Sequence, residues 1–297
     1  MFRLIYRQRR RHLFAAFFGA LALFCLFAGD ANDMVNPDGP AWINTASVAL
    51  ACLIMGAGFA CLSAVFVLVV PSCRTFVEII SLMAFLQVSL GPLLPVWIVQ
   101  NEYEWVVWMA LIFALVCTVY GTVLDRFRIW LDHSETRTFT VKGTAEDLWD
   151  WLVPGLDRNG GANWEPLLRK MEALQGTPNS FDVEYQVGHA MFEHQTITYE
   201  AVAYPHYARY HFQGELNPAN KNLVQGTMAF SIEPVPGTET CRITLTRTRK
   251  SLLVREGLLM WFDDALGDQA DHMRAKWTKR WDWSLAGKFR RHAVSLS

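Results

Sequence analysis

Histidines and carboxylates are the side chains of this chain best suited to chemistry, and they gather in two stretches of its second half. His206, Tyr207, Arg209, Tyr210 and His211, with His194 nearby, carry groups able to exchange protons near neutral pH. Asp263, Asp264, Asp268, Asp271 and His272 form an oxygen-rich set of the kind that holds a hard cation. Each stretch also has an ordinary explanation. Read as a strand, HYARYH puts Tyr207, Arg209 and His211 on one face and His206, Ala208, Tyr210 and Phe212 on the other. The first face reads as polar outer surface. The aspartates fall near a helix start, where the helix dipole favours negative charge, and read as a solvated face. No Ser/His/Asp order, GxSxG, phosphate-cradling glycine loop or HExxH occurs. Five of the six cysteines lie in or beside apolar runs, and only Cys241 belongs to the polar half. With no CxxC spacing, neither a zinc site nor a disulfide framework is expected, and the pattern suits a reducing compartment. We therefore assign no catalytic residue, no metal and no cofactor. Without the basic face of a recognised module, nucleic acid is not an expected partner either.

The elements that must position these residues follow from periodicity. Leu258 to Trp281 has no proline, and Leu259, Phe262, Leu266, Ala270, Met273 and Trp277 recur at steps of three and four. One long amphipathic helix is expected, with Asp264, Asp268 and Asp271 opposite its apolar stripe. Ahead of it lie strands at Arg137 to Lys142, Phe181 to Val187, Glu193 to Ala203, His206 to Gln213, Val224 to Glu233 and Thr240 to Lys250. Ile197, Tyr199 and Ala201 share a face, as do Met228, Phe230 and Ile232, and Ile243 and Leu245. Tight connections such as Tyr204-Pro205 and the segment from Pro234 to Thr238 imply an antiparallel sheet. Thr144, with Asp147 three residues on, caps a short helix that Pro154-Gly155 stops. Asp157 to Asn163 reads as a loop, and Trp164 to Leu168 as the start of a second short helix.

The first half is of another kind. From Leu13 to Leu124 the one basic residue is Arg74, so the net charge of −1 hides a strong segregation. Four apolar runs are expected to cross a bilayer: Leu13 to Ala28, Ala46 to Val70, Phe76 to Val99 and Trp105 to Leu124. Arginines before the first run, Arg74 after the second, and Arg126 and Arg128 after the fourth mark the inner side. The acidic stretches Asp30 to Pro40 and Asn101 to Glu104 mark the outer side. Residues 1 to 31 also read as a signal peptide, and either reading leaves the second half in the cytoplasm. Glu78, the one acid inside a span, lies near its start and is expected to reach the inner interface. Gly56, Ala60 and Ala64 form a small-residue face, and Gly91-Pro92 with Pro95 should kink or thin the outer end of the third run. The tail from Trp281 to Arg291 mixes aromatic and basic residues and reads as a frayed helix end, or as a contact for the anionic inner leaflet.

Strand, short helix, meandering strands and one long helix is the order of the helix-grip fold. The junction from Val141 to Trp149, the Trp164-Glu165-Pro166 that follows, the Gly237-Thr238 turn and the closing helix resemble the START-like superfamily, also called SRPBCC. Within it the likeness is to the polyketide cyclase/dehydrase and lipid-transfer type. It covers about Thr136 to Trp281. The resemblance implies a cavity between sheet and last helix for a hydrophobic small molecule: a lipid, quinone or polyketide-like compound. Tyr199, Tyr210, Phe212, Phe230, Ile243, Phe262, Leu266, Met273 and Trp277 would line it. Burying each contributes about 1.5–3 kcal/mol, so each also suits a ligand-free core. The expected organisation is a four-span α-helical membrane region over residues 1–130, an α+β helix-grip domain over 136–283 and a basic tail over 284–297. The expected role is a ligand-binding protein of the inner membrane, its partners a hydrophobic small molecule or lipid and the bilayer. A cyclase-, dehydratase- or hydrolase-type enzyme and a structural module with a filled groove stay open as alternatives.

Overall fold

A computed structural model of the chain describes residues 1–28, 41–100, 103–120, 123, 130–156, 168–186, 192–216 and 223–288. The expected loops at Asp30 to Pro40 and Asp157 to Asn163, and the basic exit from the fourth run at Asp125 to Arg128, lie outside the described residues. The chain divides into two units, residues 1–124 and 125–297.

The first unit is helical: α1 (Phe2–Arg7), α2 (Arg9–Ala28), α3 (Ala41–Val69), α4 (Phe76–Leu90), α5 (Val96–Gln100) and α6 (Glu104–Tyr120). Three helical stretches, at Arg9–Ala28, Trp42–Val69 and Pro71–Leu93, are long and apolar enough to cross a bilayer. Among the described residues, the fourth run forms the 17 residues of α6. At 1.5 Å per residue that is about 25 Å, short of the roughly 30 Å hydrocarbon layer. Small residues let α2 and α3 approach closely. A side-chain carbon at Gly19 would fall 2.2 Å from the Phe59 ring, and one at Gly56 would fall 3.0 Å from the Ala16 carbonyl oxygen. A 3-10 turn at Gly91–Leu93 interrupts the third run, as its Gly-Pro pair requires. Glu78 is not exposed at the start of α4. It is buried and accepts a hydrogen bond from Arg11 Nη1 at 2.9 Å, because that arginine sits inside the bundle on α2.

The second unit is built on β1 (Trp130–Lys142), α7 (Ala145–Leu152), β2 (Leu168–Ala173), β3 (Ser180–Gln186), β4 (Phe192–Ala203), β5 (Tyr207–Leu216), β6 (Leu223–Pro234), β7 (Thr240–Leu253), α8 (Val254–Asp263) and α9 (Ala265–Trp277). The strands form one antiparallel sheet in the order β1-β7-β6-β5-β4-β3-β2. A sheet of this kind closed by a C-terminal helix agrees with the helix-grip arrangement. Thr144 caps α7, its hydroxyl accepting the Asp147 N–H at 3.2 Å.

Two local expectations are corrected. Leu168 opens a strand, not a helix, while Trp164 to Leu167 lie outside the described residues. Leu-Arg-Lys-Met-Glu-Ala has fair helix propensity, but pairing with β3 overrides it, and its charges suit a sheet edge. On β4 a register shift between Tyr199 and Ala201 turns Ala201 to the exposed side.

The largest correction concerns the closing helix, which is two helices. Asp264, at φ 47° and ψ 54°, breaks it between α8 and α9. Aspartate tolerates this left-handed conformation better than most residues. Two groups on β1 hold the break: Arg137 pairs with the Asp264 carboxylate, and Glu135 Oε2 accepts the Leu266 N–H at 3.0 Å. A carboxylate from a distant strand thus satisfies an orphan donor at the start of α9.

The expected solvated face is therefore largely buried, since Asp264 and Asp268 are both inside. Asp268 accepts the N–H groups of Leu285 and Ala286 at 2.8 and 3.0 Å, and Asp282 bonds His272 at 2.6 Å. These bonds fold residues 284–288 back onto α9 in place of a frayed end, while residues 289–297 lie outside the described set. Burial pushes the Asp268 carboxyl up to about 6 from an ordinary 3.8, against the pull of the Ala286 and Leu285 N–H groups. Burial opposes ionisation of Asp282 too, but bonds from His272 and Ser284 outweigh it and hold that carboxyl low.

A raised folded-state pKa adds stability below the unfolded value and loses it as pH rises through the folded one. Asp268 should therefore remove up to about 3 kcal/mol between pH 4 and pH 7. Thermal melts of wild type and Asp268→Asn across that range should show the variant gaining on wild type as pH rises. A difference that stays flat with pH would contradict this assignment.

Candidate functional site

Alternation assigns each strand an inner and an outer face. On β1 and β7 the outer face is a hydroxyl ladder, with Thr138–Thr244, Thr136–Thr246 and Ser134–Thr248 oxygens 3.2, 3.2 and 3.1 Å apart. The inner face carries the intervening residues, and the strand registers arrange them in rows across the sheet. One row runs Ala208, Phe230, Leu245 and Arg137; the next Tyr199, Tyr210, Met228, Arg247 and Glu135; the next Ile197, Phe212, Gly226, Arg249 and His133.

Eight of the nine expected lining residues meet in or against one core cluster: Tyr199, Tyr210, Phe212, Phe230, Ile243, Leu266, Met273 and Trp277. They are not equivalent. Phe230, Ile243, Leu266 and Met273 are 0% exposed and serve as packed core, whereas Tyr199, Tyr210 and Phe212 keep 6–7%. Phe181, whose ring centroid lies 6.1 Å from that of Tyr199, and Tyr185 and Val224 pack on the same cluster while only partly buried. Phe262 is not brought to this cluster. The break at Asp264 places it on α8 next to Trp261, ring centroids 5.1 Å apart. Trp277 closes the far end. Its indole N–H donates to the Lys142 carbonyl at 2.6 Å, and its ring lies so near Gly143 that a side-chain carbon there would sit 2.9 Å away. The Tyr199 hydroxyl donates to the Pro154 carbonyl at 2.5 Å, tying β4 to the end of α7.

From Tyr207 to Phe212 the set divides as alternation requires, but His206, expected on the inner face, is exposed in the turn ahead of β5. Tyr207 and Arg209 are exposed, Ala208, Tyr210 and Phe212 are buried, and His206 Nδ1 lies 3.1 Å from the Ile232 carbonyl oxygen. His194, His206 and His211 do not converge on the inner face. Among the described residues, no group of three His, Cys, Asp or Glu side chains is arranged to hold a metal ion. Cys241 is buried, its Sγ 3.3 Å from the Gly143 carbonyl oxygen, and burial pushes its thiol up.

What the sequence reading missed is a charged edge on the inner face. His133, Glu135, Arg137, Arg247 and Arg249 all point inward at one side of the sheet. His133 Nε2 lies 2.6 Å from Glu135 Oε1, and Arg247 reaches Glu135 at 3.7 Å and Gln269 at 3.2 Å. The signal was available. Counting by twos from Ile243 and Leu245 arrives at Arg247 and Arg249, and counting back from Val141 arrives at Arg137, Glu135 and His133.

No family model matches the chain, and no curated protein matches it. Solved structures resemble its second half. A conserved protein from Geobacillus kaustophilus shares 18% identity over 50% of this chain and 96% of its own, with a TM-score of 0.38. A START superfamily protein from Mycobacterium smegmatis shares 13% over 56% and 99%, with a TM-score of 0.33. A point mutant of Thalictrum flavum norcoclaurine synthase shares 16% over 51% and 97%, with a TM-score of 0.34.

Proposed function

We propose that the chain is a multi-pass inner-membrane protein, with four spans, whose cytoplasmic START-like domain binds a hydrophobic small molecule such as a lipid, quinone or polyketide-like compound. One observation carries the reading. On the inner face Tyr199, Tyr210 and Phe212 keep 6–7% of their surface accessible, Phe181 lies against Tyr199, and Tyr185 and Val224 pack on the same cluster while only partly buried. Apolar inward surface with a few polar groups at its border is the composition of a small-molecule site. Three helices long and apolar enough to span support the membrane assignment, and the distribution of basic residues supports the inward orientation of the second unit. Carrying the domain in one chain with membrane spans raises its effective concentration toward compounds dissolved in the bilayer.

The second reading, an enzyme of cyclase, dehydratase or hydrolase type, is favoured by the His133–Glu135 pair on the same inner face. One experiment separates the readings. Mass spectrometry of small molecules co-purifying with the detergent-extracted full-length protein should find a hydrophobic compound at near one per chain. Recovery of an added compound in altered form would favour the enzyme. Finding none bound would support a structural module and remove the leading reading.

A further inference from the structure

The charged edge contains one arginine that its neighbours do not explain. Arg247 is matched by Glu135 and Gln269, and Arg137 by Asp264. Arg249, one row further along β7, has no hydrogen bond or ion pair among the described residues, and its Nε is shut off from solvent. Its guanidinium lies over the Phe212 ring, 5.9 Å from the centroid. The neighbouring position on β6 is Gly226, where a side-chain carbon would fall 2.7 Å from Phe212 and 3.1 Å from the Arg249 backbone. Glycine there leaves the Phe212 ring and the arginine side by side.

Arg249 is nearly surrounded by protein yet keeps some accessible surface. Burial lowers its pKa, while the charges of Glu193, Glu256 and Glu135 act the other way. None of these carboxylates is hydrogen-bonded to it, and Glu193 instead accepts from Gln195 at 2.8 Å. Arginine stays protonated in proteins, so its positive charge persists at the border of the apolar inner face.

Resting on the ligand-binding reading above, we propose that Arg249 anchors the head group of the ligand, which is an amphiphile with a single carboxylate head and a hydrocarbon body. The guanidinium fork matches a carboxylate in two parallel hydrogen bonds. The hydrocarbon body runs from Phe212 along β5 to Tyr210 and its β4 neighbour Tyr199. A monoanion suits the surroundings better than a phosphate dianion. Glu193 is close enough to act on Arg249, and among the described residues Arg247 is already matched by Glu135 and Gln269, so a second negative charge would lack a cation of its own.

The test compares radiolabelled dodecanoate with dodecan-1-ol on the full-length protein in nanodiscs, each corrected for empty discs of the same lipid. Wild type should bind the carboxylate about tenfold more tightly than the alcohol, the scale of one charge-assisted bond. Arg249→Gln should bring the two to parity while leaving the alcohol unchanged, and Arg249→Lys should keep part of the preference. Glu193→Gln should strengthen carboxylate binding several-fold, and it decides the matter if Arg249→Gln does not fold. Equal binding of both probes by wild type overturns the anchor and leaves the groove standing, as does a preference that survives Arg249→Gln or a Glu193→Gln without effect. Binding of neither probe above empty discs overturns the groove itself.

Discussion

Phe230→Ala should cost the second unit about 3–5 kcal/mol, a large part of the roughly 5–15 kcal/mol that keeps a typical domain folded. Phe230 is 0% exposed in the middle of the sheet, paired with Ala208 on one side and Leu245 on the other. Its ring centroid lies 6.0 Å from that of Tyr210. Removing it leaves a hole that Ala208 is too small to fill, and that Leu245 fills only by leaving its own contacts. Phe262→Ala is the control. That ring is partly exposed on α8 and outside the core cluster, so its loss should cost much less. Chemical denaturation followed by tryptophan fluorescence measures both. Equal costs for the two variants would mean that the sheet face is not the unit's core.

The second large effect belongs to the helical unit. Arg11 is 0% exposed and Glu78 7%, and their side chains meet at 2.9 Å between α2 and α4. Taking one partner away strands a charge in an apolar bundle, a loss of about 3–5 kcal/mol. Replacing both with methionine removes the desolvation cost together with the attraction and should restore most of that loss. Melting of detergent-solubilised Glu78→Met, Arg11→Met and the double variant forms a complete cycle. If the single variants melt no lower than the double, the pair is not a buried ion pair.

How much of this was legible in the residues differs by element. Strands β4 to β7 follow from alternation because one face is packed and the other open, so Met228, Phe230 and Ile232 could be placed inward from the pattern alone. The Thr144 cap was equally visible, since it lies within three residues. The break at Asp264 was not. Its cause lies on β1, where Glu135 and Arg137 act across more than a hundred residues, and the apolar stripe runs through the break without changing period. Leu168 to Ala173 misled for a related reason: edge pairing with β3 decides the conformation and leaves no local mark. Arg247 and Arg249 were passed over because charged residues at the end of a strand are usually assigned to its outer face. Parity places them inside.

The pairing of β1 with β7, from Trp130 opposite Leu253 to Lys142 opposite Thr240, has a consequence for biosynthesis. The strand that leaves the ribosome first in the second unit finds its hydrogen-bonding neighbour only when the last one has been made. Until then its amide and carbonyl groups lack their sheet partner, and contacts so distant along the chain form slowly. Assembly of this unit is thus a late event, completed after translation of β7. A chain truncated before Thr240 would present an open strand edge to whatever lies nearby.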